Sequence, residues 1–219
     1  MPRPPRDQSA GIVHLIWRGN RRQRIFDDDT DRERYLTLLA EVCSRFGWRV
    51  YAYCLMTNHV HLMVEVTEGT LSRALQWLGG RYAAAYNVRH GFVGHLFQGR
   101  FRSERVEDGA YALELARYVD LNPKRAGAVD APSRWRWSSY RAHAGLEPPR
   151  AFHDVGWILG QFALDRRRAR AAYRAFVATA RDQPRRHPDV SQADTSRGQT
   201  PGRVRSGQVF RIVGGQPTP

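Results

Sequence analysis

The sequence predicts an α+β protein with a ferredoxin-like split β-α-β unit built on an antiparallel sheet. Two observations support this fold class. Short apolar runs of strand type alternate with longer stretches in which apolar residues recur at helical spacing. These segments follow one another as strand, helix, strand, strand, helix, strand, which is the order of the split β-α-β fold. A helical extension and a disordered tail are expected after this unit.

The first elements are a buried strand and an amphipathic helix joined by a cationic turn. Ile12 to Trp17 is a short apolar run suited to a strand. The turn runs from Arg18 to Arg24, and we expect Gly19 to give it backbone freedom. A capping box of Thr30 and Glu33 predicts the start of the helix, which ends at Gly47. Its apolar side chains are Tyr35, Leu38, Leu39, Val42, Cys43 and Phe46.

A pair of strands and a second helix come next. Trp48 to Leu55 is predicted to be a strand, and a tight connection at Thr57-Asn58 joins it to the strand that begins at His59. The second helix opens after Glu68 and carries Leu71, Leu75, Leu78 and Tyr82 on one face. Gly79-Gly80 weakens this helix by about 1 kcal/mol per glycine relative to alanine, so we expect a packing reason for it.

The strand from His59 to Val66 has two unlike faces. Its even-numbered residues form a continuous apolar face: Val60, Leu62, Val64 and Val66. Both helices should cover that face and leave His59 and His61 on the open one. The two imidazoles would stand about 7 Å apart, which suits two ligands of one metal. Such a pair is also common as polar residues on the wet face of a sheet.

The last part of the unit contains a loop, a strand and a third helix. Arg89 to Arg102 is glycine-rich, basic and aromatic, and is predicted to be a loop that contacts a ligand. Phe101 to Val106 is the expected fourth strand. The third helix should run from near Asp108 to Leu121 and end there, because the residue before Pro123 avoids helical geometry.

Two polar residues of the third helix share one face. Tyr118 and Asn122 are four residues apart, so a hydroxyl and an amide oxygen could approach the same point. Each residue also has an ordinary structural explanation. Tyr118 could pack at the edge of the sheet, and Asn122 could satisfy the backbone at the helix end.

The chain divides into four predicted parts. These are a flexible N-terminus at 1–11, a folded domain at 12–130, a helical extension at 131–182 and a disordered basic tail at 183–219. The extension contains Trp135 and Trp137 and two amphipathic helical stretches. The tail loses periodicity and is rich in Pro, Gly, Ser and Gln.

The composition indicates a polyanionic partner. The formal net charge is +14 and the isoelectric point is near 10.9, and almost all the positive charge is arginine. Nucleic acid is the favoured partner, with an anionic membrane surface second. The two cysteines lack a metal or disulfide pattern, which favours a reduced, cytoplasmic protein. No apolar run is long enough to cross a membrane.

Four motifs together resemble a known family. They are the Arg18–Arg21 turn, Tyr53-Cys-Leu-Met-Thr-Asn-His-Val-His-Leu-Met-Val-Glu65, Gly94-His-Leu-Phe-Gln-Gly-Arg-Phe101 and Tyr118-Val-Asp-Leu-Asn-Pro-Lys-Arg-Ala-Gly127. In this order they resemble the single-tyrosine HUH transposases, in particular the REP-associated tyrosine transposase branch. The resemblance covers about Ile12 to Tyr140 and implies a fold of the HUH endonuclease type. Thr57 is a departure, because the family usually has proline there.

The resemblance implies a metal-dependent DNA transposase of the bacterial cytoplasm, associated with the nucleoid through DNA. His59, His61 and Asn122 would bind Mg²⁺ or Mn²⁺, and Tyr118 would be the nucleophile. Cleavage of hairpin-containing or palindromic single-stranded DNA would give a covalent 5′-phosphotyrosine, and the enzyme would be a monomer or a homodimer. The candidate DNA contacts are Arg18, Asn20, Arg21, His95, Gln98 and Arg100.

Other functions remain open at this point. A domesticated transposase could bind palindromic repeats without cutting them, although a pure binder needs no nucleophile. A ferredoxin-like RNA-binding domain would stack bases on aromatic residues of its sheet, whereas this chain offers histidines on the central strand. A zinc site lacks a plausible fourth ligand near the pair.

Overall fold

The computed structural model describes residues 7–180, and these are built around a four-stranded antiparallel sheet. The strands are β1 (Gly11–Arg18), β2 (Arg49–Leu55), β3 (His59–Val66) and β4 (Arg102–Arg105). Their order in the sheet is β2-β3-β1-β4, so β3 lies between β1 and β2, the two strands of the first β-α-β unit. This is the ferredoxin-like arrangement that the sequence predicts. The predictions for 1–6 and 183–219 lie outside the described residues.

Two helices cover the first face of the sheet. They are α1 (Asp29–Phe46) and α2 (Leu71–His90), and they pack on Val13 and Leu15 and on the predicted apolar face of β3. Helix α1 ends at Gly47, whose φ of 68° is left-handed, as predicted. The predicted capping box is wrong. The helix begins one residue before Thr30, because Asp28 is the N-cap and accepts a hydrogen bond from the Asp31 amide.

Gly79 has the packing reason that the sequence predicts. A Cβ atom at this position would lie 2.0 Å from Cη2 of Trp17, so only glycine lets the indole ring lie against α2. The ring stacks on Phe97 on its other side, with 4.0 Å between the ring centroids. Gly80 has no such neighbour within 4 Å. The packing explanation therefore applies to the first glycine of the pair.

The second face of the sheet is covered as well, which corrects the expectation of an open face. Helix α3 (Gly109–Arg125) packs its apolar side against Ala52, Cys54 and Met63. The helix also continues through Pro123 instead of ending before it. Pro123 is buried, and the Ala128 amide donates to its carbonyl oxygen, so packing outweighs the local preference of the residue before proline.

The segment after α3 runs along β2 and adds three short helices, α4 (Tyr140–His143), α5 (Val155–Gly160) and α6 (Arg166–Ala178). Its backbone bonds directly to that strand. The Leu55 amide donates to Trp137, the Ser139 amide donates to Tyr53, and the Asp154 amide donates to Val50. The three helices join α3 in a second apolar core. None of the described helices is long and apolar enough to cross a lipid bilayer.

Candidate active site

The floor of the site is formed by paired residues of the two central strands. His61 lies opposite Ile16 and His59 lies opposite Arg18, so these four side chains project from the same face. The ring centroids of the two histidines are 5.0 Å apart. Strand parity therefore places both imidazoles on the face away from α1 and α2, as the sequence predicts, and α3 packs on that face.

His61 is held between two polar partners in a nearly closed environment. Only 3% of it is exposed. Its Nε2 lies 3.2 Å from the Asn122 side-chain nitrogen, and its Nδ1 lies 3.1 Å from Nε2 of His14. An amide nitrogen can only donate, so Nε2 of His61 is the accepting nitrogen and Nδ1 carries the proton that is donated to His14. The hydrogen-bond partners thus assign the lone pair of His61 to the side facing Asn122.

His59 is oriented in the same way by its neighbour in the chain. The Asn58 side-chain nitrogen donates to the Arg22 carbonyl at 3.0 Å, which leaves the Asn58 side-chain oxygen as an acceptor. That oxygen lies 2.7 Å from Nδ1 of His59. Nδ1 therefore carries the proton and Nε2 carries the lone pair. Both histidines share one tautomer, each fixed by a residue outside the pair.

Tyr118 lies beside this histidine pair. Its ring centroid is 5.6 Å from that of His61 and 6.0 Å from that of His14, with edge-to-face geometry in both cases. The side chain is partly exposed, whereas Asn122, one turn later, is 8% exposed. The Arg125 guanidinium carbon lies 5.4 Å from the centre of the Tyr118 ring. The structure therefore brings all four predicted site residues together.

The six predicted DNA contacts come from two distant segments that the fold joins at the end of β1. The Asn20 amide donates to the Leu96 carbonyl and the Gln98 amide donates to the Arg18 carbonyl, both at 2.8 Å. The two segments form a basic rim next to His59, defined by Arg18, Asn20, Arg21, His95, Gln98 and Arg100. Arg18 and Asn20 are partly buried, and the other four are exposed.

The turn in this rim uses glycine for space and not for backbone freedom. Gly19 has ordinary extended angles, with φ of −62°, but a Cβ atom there would lie 2.2 Å from the Gln23 carbonyl oxygen. The positive φ angles fall on Arg21 (49°) and Arg22 (61°). Two successive non-glycine residues in this region store strain. The strained turn carries the Arg22 carbonyl that holds Asn58.

A second group of metal-binding side chain types lies elsewhere, where α1 begins and α2 ends. Asp27, Asp31 and His90 offer ligand atoms within 4.8 Å of one another. Arg89 pairs with Asp31 at 2.6 Å and also with Asp28, and His90 Nε2 lies 3.0 Å from both Asp31 oxygens. The Arg89 guanidinium already neutralises the negative charge of Asp28 and Asp31. We interpret this group as a clamp between the two helices.

Sequence reasoning missed three residues of the site: His14, Asn58 and Arg125. His14 is the polar exception in the apolar run of β1 and is 1% exposed. Its parity with Ile16 and Arg18, which pair with His61 and His59, was an available signal. Asn58 was interpreted only as a turn residue. Arg125 lies seven residues after Tyr118, which is two helical turns along the same face.

Comparisons with known proteins give one family model and several similar solved structures. The family model described as "Transposase IS200 like" matches residues 7–122. The structure of a REP-associated tyrosine transposase bound to a REP hairpin has a TM-score of 0.56 and 17% identity, over 72% of this chain and 91% of that one. A candidate transposase from Deinococcus radiodurans R1 has a TM-score of 0.39 and 18% identity, over 55% and 96% of the two chains. No curated protein matches the chain.

Proposed function

The chain belongs to the IS200-like transposase family, and we propose that it cleaves and rejoins hairpin-containing single-stranded DNA through a 5′-phosphotyrosine on Tyr118. One observation carries this proposal. Tyr118 and Asn122, one turn apart on α3, both reach His61, at 5.6 Å between ring centroids and 3.2 Å between nitrogens. A nucleophile of phenol type thus adjoins a set of metal-binding side chains within one chain.

The donor atoms fit a divalent metal. His59 and His61 both present Nε2 lone pairs, because their protonated Nδ1 atoms donate hydrogen bonds to Asn58 and His14. Rotation of the Asn122 amide by half a turn would add an oxygen to this set. Two imidazoles and an amide oxygen suit Mn²⁺ or Mg²⁺, with Mn²⁺ the better match to imidazole. Such an ion would polarise the scissile phosphate and stabilise its developing charge.

The reaction that this arrangement supports is an exchange of phosphodiester bonds. The Tyr118 oxygen attacks the phosphorus and the bond from phosphorus to the 3′-oxygen breaks; the phenol loses its proton, and the leaving 3′-oxygen gains one to become a hydroxyl. A 5′-phosphotyrosine remains on the protein. Attack by another 3′-hydroxyl reverses these bond changes and releases Tyr118. No nucleoside triphosphate is needed, because each step exchanges one phosphate ester bond for another.

The basic rim supports hairpin DNA as the substrate. It lies next to His59 through the pairing of Arg18 with that residue. The structurally similar REP-associated transposase was solved with a REP hairpin. A net charge of +14 favours the same class of partner. We propose that the rim binds the DNA backbone on one side of the scissile phosphate.

The test is covalent capture of DNA in the presence of Mn²⁺ or Mg²⁺. Wild-type protein and hairpin-bearing single-stranded DNA should give an adduct that survives denaturation and maps to Tyr118. Tyr118→Phe removes one oxygen and should abolish the adduct while keeping hairpin affinity. Tyr111→Phe is the matched control, since Tyr111 lies two turns earlier on α3 and should be dispensable.

Two outcomes would overturn the proposal. An adduct that persists in Tyr118→Phe would identify another nucleophile. Binding of the hairpin by wild-type protein without any cleavage, in either metal, would favour the alternative function of a non-cleaving DNA-binding protein. His59→Ala should lose Mn²⁺ binding and metal-dependent cleavage together, which tests the metal separately from the tyrosine.

A further inference from the structure

The side of α3 turned away from the histidines carries a buried carboxylate. Asp120 lies between Tyr118 and Asn122 in sequence, and two residues along a helix correspond to a rotation of about 200°. Its exposed fraction is 0%. A carboxylate in such surroundings needs several hydrogen-bond donors. Any group that binds Asp120 therefore fixes α3 on the side opposite the histidines.

Three donors from the extension converge on Asp120. The Tyr173 hydroxyl on α6 donates to Oδ2 at 2.6 Å, and His143 Nδ1 on α4 lies 2.9 Å from the same oxygen. The Ser139 hydroxyl donates to Oδ1. Burial raises the pKa of the Tyr173 phenol well above its usual value, so this group stays a donor at neutral pH. We call these four residues the Asp120 hub.

The hub is anchored to the sheet. The Tyr53 amide on β2 donates to the Ser139 hydroxyl oxygen at 3.0 Å. The other nitrogen of His143, Nε2, lies 3.1 Å from the Tyr51 carbonyl oxygen on the same strand. Two of the three donors therefore connect α3 directly to the backbone of β2, which pairs with the histidine strand β3.

We propose that Asp120 is a positioning residue, and that the hub sets the rotation of α3 so that Tyr118 and Asn122 face His61. This inference rests on the proposed function. It makes the extension a part of the catalytic unit, although the matched family model ends at Asn122. The reaction rate depends steeply on this geometry, because a displacement of about 1 Å at a reacting group can lower the rate about 100-fold.

The test uses Tyr173→Phe, which removes one hub oxygen and keeps the ring that packs against His143 and Phe162. Single-turnover adduct formation should fall about 10- to 100-fold at saturating hairpin DNA, with hairpin affinity within about twofold of wild type. Ser139→Ala should act in the same direction. The control is Leu39→Ala, which destabilises the core on the opposite face of the sheet and leaves the hub intact.

The comparison is made at a temperature where all variants remain folded. Leu39→Ala should form the adduct at the wild-type rate despite a lower melting temperature. Wild-type rates in both hub variants, or rates that follow the melting temperature in all three, would overturn the inference.

A second readout is independent of the chemistry. Amide exchange should become faster in 116–122 of α3 in Tyr173→Phe, and stay unchanged in α1. If wild-type protein forms no adduct, the proposed function fails, and unchanged exchange in α3 would then overturn the hub as well.

Discussion

The contact between Gly79 and Trp17 makes a quantitative prediction, because the neighbouring glycine is a built-in control. In Gly79→Ala the new methyl group would lie 2.0, 2.7 and 2.9 Å from three atoms of the indole ring. Carbon atoms in contact need about 3.5–4.0 Å, so the ring must move by more than 1 Å. It cannot move easily, because it already stacks on Phe97 at 4.0 Å between centroids.

The magnitude follows from two opposing terms. Alanine in place of glycine stabilises a helix interior by about 0.8–1.0 kcal/mol. Overpacking of a core by a group of this size costs about 1–3 kcal/mol, and the severity of this overlap favours the upper part of that range. We expect Gly79→Ala to lower the free energy of unfolding by about 1–2 kcal/mol. Gly80→Ala should raise it by up to about 1 kcal/mol, because no atom lies within 4 Å of the added methyl group.

Urea denaturation of the two variants measures this difference. The helix term cancels between them, so the gap in unfolding free energy reports the overpacking alone, and about 2–4 °C in melting temperature should accompany each kcal/mol. A shift of the Trp17 ring would push Phe97, on which it stacks. Phe97 forms a backbone bridge with Gly19, so this displacement would also disturb the basic rim. Hairpin affinity should therefore fall in Gly79→Ala only. Equal stability of the two variants would refute the reasoning.

Two further predictions concern the site and one surface pair. Asn58→Ala should weaken Mn²⁺ binding about 10- to 100-fold, measured by titration, because His59 loses the acceptor that fixes its tautomer; an unchanged affinity would contradict this. The hydrogen bond from Arg150 holds the pKa of Glu33 below its usual value of 4.5, so this pair stabilises the fold above that pH and loses its effect as pH falls through the lowered pKa. Arg150→Gln should thus cost about 0.2–1 kcal/mol at pH 7, given the partial exposure of the pair, and progressively less as the pH falls below 4.5, measured by urea denaturation; a cost that does not change with pH would point to lost packing instead.

Most of the sheet could be predicted because its strands carry local patterns. Period-two alternation in β3 identifies the face that α1 and α2 cover, and it places His59 and His61 on the opposite face, which α3 covers. The order of the elements then defines the topology. The four central site residues were predicted from strand parity, helical spacing and the family resemblance, and the fold brings them together.

The errors arise where tertiary contacts outweigh local rules. Proline predicts a helix end from its neighbours alone, yet α3 continues because Pro123 is buried and Asn122 contacts His61. The second face was predicted to be open, because the small apolar residues of α3 give no sign of which surface they cover. His14 was missed, because its parity with Arg18 points to the site only once β1 is known to pair with β3.

The backbone pairing between the extension and β2 has a consequence for the association of whole molecules. An edge strand normally exposes unpaired amides and carbonyls, which can form hydrogen bonds with a strand of another chain. Here residues 137–139 and 154 already bond to Tyr53, Leu55 and Val50. At the other end of the described sheet, β4 is only four residues long, Arg-Ser-Glu-Arg. Charge and shortness both discourage pairing there. A chain shortened before Trp135 would expose β2 and should aggregate through it, so the extension also acts as a guard against uncontrolled sheet growth.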